Sequence, residues 1–148
     1  MFKKMISSTI DIEASPEEIW KHLTDFSAYS QWNPFIADIE GEAVVGARIQ
    51  VTLHLDNGKT MVFKPTIMEV VPESTLMWLG RTALPGLLDG RHSFSIEWQG
   101  GNISRFIQAE IFSGILVPLL PGPLLEQSVK GFEMFNAVLK ERAEGKGD

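Results

Sequence analysis

The stretch Ile6-Ser7-Ser8-Thr9-Ile10-Asp11-Ile12-Glu13-Ala14-Ser15-Pro16-Glu17-Glu18-Ile19-Trp20 changes its structural period partway along. Ile6, Ser8, Ile10 and Ile12 alternate with Ser7, Thr9, Asp11 and Glu13, the period-two pattern of a half-buried strand. Ser15-Pro16-Glu17-Glu18 then reads as a capping box, with Ser15 accepting from the third helical N–H, Pro16 at the first helical position and Glu18 reaching back. Ile19, Trp20 and Leu23 form the buried stripe of the helix that follows. A strand running straight into a helix sets the order of everything downstream.

Residues 25–35 are rich in aromatics, and Asn33-Pro34 interrupts any helix there, so a short helix and a packed loop are expected. From Arg48, the residues Ile49, Val51, Leu53 and Leu55 alternate with polar ones up to Asn57-Gly58, a hairpin turn. One returning strand is predicted over 59–71, with Pro65 marking an edge or a bulge because it cannot donate to a ladder. Further strands are predicted over 75–81, 91–98 and 103–112, with a loop over 82–88. A long helix over 124–142 carries Leu125, Val129, Phe132, Phe135 or Asn136, and Leu139 at helical spacing. Residues 144–148 read as a frayed tail. One domain over 1–148 results, of α+β class: short helices between the first two strands, about seven antiparallel strands, and a terminal helix.

In residues 10–20, Leu23-Thr24-Asp25-Phe26 with Tyr29, and Trp32-Asn33-Pro34-Phe35, the chain resembles the START-related SRPBCC superfamily, in particular its polyketide cyclase/dehydrase-like members. The likeness continues through Leu84-Pro85-Gly86, residues 89–94, residues 112–118 and the terminal helix. It implies the helix-grip fold, a curved antiparallel sheet wrapped around the C-terminal helix and enclosing a cavity. One helix and a few loops must fill the concavity of a large sheet, and a partly unfilled apolar pocket is the usual form of a small-molecule site. The superfamily hosts carriers, receptors, cyclases and chaperone cofactors, so its name does not name a reaction.

Composition narrows the classes. Cys is absent, which excludes disulfides and thiol catalysis and permits a cytoplasmic location. The first residues carry no apolar run of the length expected of a signal-peptide core, and the most apolar window (115–125), broken by three prolines, falls well short of the ~20 residues that span a bilayer. A net charge of −6 with scattered Lys and Arg opposes nucleic acid and anionic lipid surfaces. His22, His54 and His92 lie on different elements without ligand spacing, so no metal and no cofactor are expected. Nor is there a phosphate-cradling glycine motif or a nucleophile elbow.

The candidate site centres on His92, whose strand partners Phe94, Ile96 and Trp98 put it on the apolar face. The register of the 97–105 hairpin is open. With one residue beyond the tight turn, Ser104, Phe106, Gln108, Glu110 and Phe112 face inward and Glu110 falls opposite His92; with the tight turn, Ile103, Ile107, Ala109 and Ile111 do. The resemblance places Phe106, Gln108, Glu110 and Phe112 inside. In that register the carboxylate is expected to hold His92 charged, and the two are candidates for acid–base catalysis or for holding a ligand's polar end. Gln108, Trp78, Phe94, Trp98, Phe106, Phe132 and Phe135 are candidate ligand contacts. Asn33 is a candidate donor at the cavity mouth, set against simple turn chemistry, and Tyr29 a mouth group, set against a packed loop residue. The proline-rich 114–123 segment is read as a pocket lid in preference to a self-association patch.

Three functions follow as expectations: binding or carriage of a small hydrophobic molecule such as a lipid, sterol-like or aromatic metabolite; a cyclase or dehydratase using His92 and Glu110; and a protein-interaction module such as a chaperone cofactor. A monomer or weak homodimer is expected, with no stable membrane insertion.

Overall fold

In a computed structural model, residues 2–81, 84 and 86–145 are described. Strand β1 (Lys3–Ile12) leads into helix α1 (Pro16–Thr24), a 3-10 turn (Phe26–Ala28) and the one-turn helix α2 (Tyr29–Trp32). Seven strands follow: β2 (Ile36–Glu40), β3 (Gln50–His54), β4 (Thr60–Phe63), β5 (Thr66–Val71), β6 (Thr75–Arg81), β7 (Asp89–Trp98) and β8 (Ser104–Ser113). A second 3-10 turn (Val117–Leu119) precedes helix α3 (Gly122–Ala143). The capping box is half made: Ser15 Oγ accepts from Glu18 N–H, while the Glu18 carboxylate turns to His22 instead, at 3.0 Å.

The strands form an antiparallel five-stranded sheet, β1-β8-β7-β6-β5, and a three-stranded sheet, β2-β3-β4. The single strand predicted over 59–71 is two strands in different sheets, because Lys64-Pro65 sits where the ladder must stop. Backbone bonds from Ile49 to Pro65 and between Ala47 and Ile67 join the sheets into one curved wall. β2 was not distinguished in the sequence; its Ile36 and Ile39 are buried, and a bulge between Ile36 and Asp38 breaks the alternation that would have marked it.

Across the inner face the strands stack side chains in rows. His92 stands between Trp78 and Glu110, and Phe94 between Leu76 and Gln108, so the wider hairpin is the register adopted. Helix α3 lays Phe132, Phe135, Asn136 and Leu139 on this face, all essentially inaccessible. Gly131 lets it approach: a Cβ there would overlap the Phe35 ring. The end of the helix is clasped, since Glu144 accepts from the Glu13 backbone N–H at 2.8 Å and pairs with Lys140 at 2.6 Å, contrary to the expected fraying at that position. The rest of the expected tail, 146–148, lies outside the described residues, as do Thr82, Ala83 and Pro85 of the expected 82–88 loop. Among the described residues no helix is long and apolar enough to cross a membrane.

Candidate functional site

The row beyond Trp78, His92 and Glu110 is almost empty. Gly80 pairs with Gly90, and Gly90 with Phe112, so on β6, β7 and β8 two of the three inward positions carry no side chain, and Lys4 of β1 continues the row beyond Phe112. The space left is a cavity of about 240 Å³. Trp78, Gly80, Gly90, Glu110 and Phe112 form its floor. Leu53, Met61 and Phe63 of the small sheet and Leu55 of its hairpin turn fold over it, Phe35 and Leu88 close the sides, and Leu124 and Ser128 of α3 form the remaining edge. Arg81, half exposed and 3.8 Å from Asp89, stands at the mouth.

Behind Glu110 a chain of polar groups crosses the core. His92 Nε2 lies 2.8 Å from Gln108 Oε1, and Gln108 Nε2 donates to Asn136 Oδ1 at 2.9 Å. That polarity makes Nε2 the protonated nitrogen of His92 and leaves Nδ1 bare, facing Glu110 Oε1 at 3.7 Å. Burial pushes the His92 pKa down to about 4, against the opposing effect of the Gln108 hydrogen bond. Burial likewise pushes Glu110 up to about 7. The charged imidazole expected from the sequence is therefore corrected to a neutral one. The carboxylate meant to stabilise it is itself desolvated, and 3.7 Å is too long for a hydrogen bond.

Of the candidate ligand contacts, Trp78 and Glu110 line the cavity. His92 and Gln108 stand behind the wall. Phe94, Phe106 and Phe135 fill the space between sheet and helix by stacking on one another at 5.4–6.1 Å, and Phe132 packs on Phe35 at 6.2 Å. Trp98 is not internal: it is 64% exposed, because its strand runs past the core and the indole folds onto its own turn, donating to the Gly101 carbonyl. Asn33 is a turn residue whose Oδ1 accepts from the N–H groups of Phe35 and Ile36, not a group at the mouth. Tyr29 is buried with its hydroxyl donating to the Leu23 carbonyl, and that burial raises its pKa. The 114–123 segment expected as a lid does not line the cavity; its Ile115 and Leu116 N–H groups bond to the Gly86 and Leu87 carbonyls.

The sequence reading missed the two glycines and Asn136. A glycine at an inward position on each of two neighbouring strands is a usable sign of a void; Asn136 was weighed only as an alternative to Phe135 on the helical stripe. Among the described residues no group of three or more His, Asp or Glu side chains is placed to hold a metal.

A family model described as polyketide cyclase / dehydrase and lipid transport matches residues 4–144. Among solved structures, a START superfamily protein from Mycobacterium smegmatis is 21% identical, with a TM-score of 0.73 over 95% of this chain and 97% of that one. A hypothetical protein from Helicobacter pylori is 15% identical, with a TM-score of 0.76 over 95% and 88%. An Aha1 dimer from Colwellia psychrerythraea is 21% identical, with a TM-score of 0.70 over 98% and 99%. These likenesses concern the fold. No curated protein matches the chain.

Proposed function

Since the chain belongs to the polyketide cyclase/dehydrase and lipid transport family, we propose that it binds and carries a small hydrophobic molecule in the cytoplasm, held in the cavity beside Gly80 and Gly90. The observation behind this reading is that facing glycines keep an apolar space open where any larger inward side chain would fill it. A volume of about 240 Å³ is just below the roughly 300–1,000 Å³ of drug-sized sites. It is equivalent to about eight waters' share of liquid volume, which suits an occupant of the order of ten non-hydrogen atoms. Native mass spectrometry of freshly purified protein, followed by organic extraction, tests the reading. A co-purifying hydrophobic species supports it; protein that arrives empty and takes up no apolar probe counts against it.

A second reading rests on Glu110, a cavity-wall acid whose pKa of about 7 suits proton transfer near neutrality. Here the protein is a cyclase or dehydratase, with Glu110 the group that meets substrate and His92 its support. Loss of turnover in His92→Ala with the fold intact is its test. A third, a protein-interaction module, draws on the exposed Leu84, Ile115 and Leu119. Light scattering and pull-down that find a strict monomer without partners would count against it.

A further inference from the structure

Glu110 enters the cavity with its two oxygens differently placed. Oε1 faces His92 Nδ1 at 3.7 Å, beyond hydrogen-bonding range. Oε2 lies over the Gly90 backbone, where a Cβ would come within 2.6 Å of it. Among the described residues no hydrogen bond to this carboxyl is found, and its side chain keeps about a fifth of its surface accessible. Gly90 thus does two things: it opens the cavity and it leaves room for a carboxyl oxygen inside.

We propose that the cavity's occupant is an uncharged molecule with a carbonyl oxygen at one end, which accepts a hydrogen bond from the Glu110 carboxyl group over Gly90. This deepens, and rests on, the reading of the cavity as a binding site. The acid proton is not committed to His92, so it can be donated into the cavity. Away from the mouth, where Arg81 faces Asp89, and Ser128, whose hydroxyl donates to the Leu124 carbonyl, the lining is aromatic, aliphatic or glycine, which suits a molecule with one polar end. Neighbouring charge does not favour an ion. On β7, His92 is held neutral; on β6, Arg81 stands at the mouth beside Asp89; on β1, Ile6 lies opposite Glu110, while Lys4, opposite Phe112, faces a separate hollow against α3 and does not line this cavity; and α3 brings Leu124 and Ser128. An ammonium or carboxylate group would have to shed its water for an apolar wall, at a cost that one partner repays poorly.

The test uses four probes of one shape: 4-phenyl-2-butanone, butylbenzene, 4-phenylbutylamine and 4-phenylbutyrate, titrated calorimetrically into the wild-type chain, Glu110→Gln and Glu110→Leu at pH 6 and pH 8. With Glu110 titrating near 7, the ketone is expected to bind the wild type about tenfold more weakly at pH 8, as the competent fraction falls. Butylbenzene should show no such change. Glu110→Gln, which keeps an N–H donor, should bind the ketone at both pH values alike; Glu110→Leu should bind butylbenzene at least as well as the ketone. Ketone and hydrocarbon binding the wild type equally at both pH values would overturn the carbonyl inference while leaving the cavity reading standing. Tightest binding by the amine or the carboxylate would overturn it too. If no probe binds, butylbenzene included, the cavity reading fails and this inference with it.

Discussion

Replacing Gly80 by Val should stabilise the protein while weakening binding at least tenfold. Gly80 has no positive φ, and a Cβ built on it meets nothing closer than the Gly90 carbonyl oxygen at 3.9 Å, so a side chain enters without a clash. Removing a glycine from a strand interior recovers roughly 0.5–1 kcal/mol. Burying part of a Val side chain against Trp78 and Phe112 adds of the order of 1 kcal/mol. The sum, about 1–2 kcal/mol, corresponds to a rise in Tm of about 3–8 °C for a chain of this size. The same methyl groups occupy the cavity, so affinity for butylbenzene should fall at least tenfold. Thermal melting by circular dichroism and calorimetric titration give the two readouts. A side chain put in merely to fill a wasted void would raise stability at no cost to function; here the two move in opposite directions. Destabilisation by several degrees, or unchanged binding in the more stable variant, would refute the account of the glycine pair.

The His92 and Glu110 pKa values make opposing contributions to stability. His92 is depressed to about 4, so the unfolded chain binds the extra proton between about 4 and 6.5, and its contribution rises with pH there, by about 3 kcal/mol at most. Glu110 is raised to about 7, so the folded chain binds the extra proton between about 4.5 and 7, and its contribution is lost as pH rises, by a similar amount. Their slopes should nearly cancel in the wild type between pH 4.5 and 6.5. Urea denaturation of Glu110→Gln should unmask stability increasing with pH relative to wild type, and His92→Phe the reverse; two variants with the wild-type slope would contradict both assignments. Gly131→Ala should destabilise by about 1–3 kcal/mol, despite the better helix former, because the Phe35 ring occupies the site. A more stable variant would show that the ring moves aside freely. Asn33→Ala should cost about 1–3 kcal/mol through the unpaired N–H groups of Phe35 and Ile36, with ligand affinity unchanged. Selective loss of affinity would return Asn33 to the binding site.

The strand over Lys3–Ile12, the start of α1 and the inward parity of β7 were legible because each rests on local period or capping. Parity alone placed Trp98 inside, however, and parity cannot tell where a strand outruns the helix that covers it. Residues Leu53 and Leu55 were read correctly as one apolar face, but that this face closes over Gly80 and Gly90 depends on the three-stranded sheet curling back, a long-range arrangement with no local signature. Gln108 meets Asn136 across 28 positions, and such a bond is invisible until the helix is docked. The charge on His92 was misjudged because a neighbouring carboxylate was counted as an anion, without charging it for its own burial.

The most direct test of the cavity is a crystal of the wild-type chain under xenon pressure, since a dry apolar cavity takes up xenon without any need for the natural ligand. A strong site bounded by Gly80, Gly90, Trp78 and Phe112 is expected, and its loss in Gly80→Val. Absence of xenon there, with Met61 or Phe112 turned in to fill the space, would contradict it.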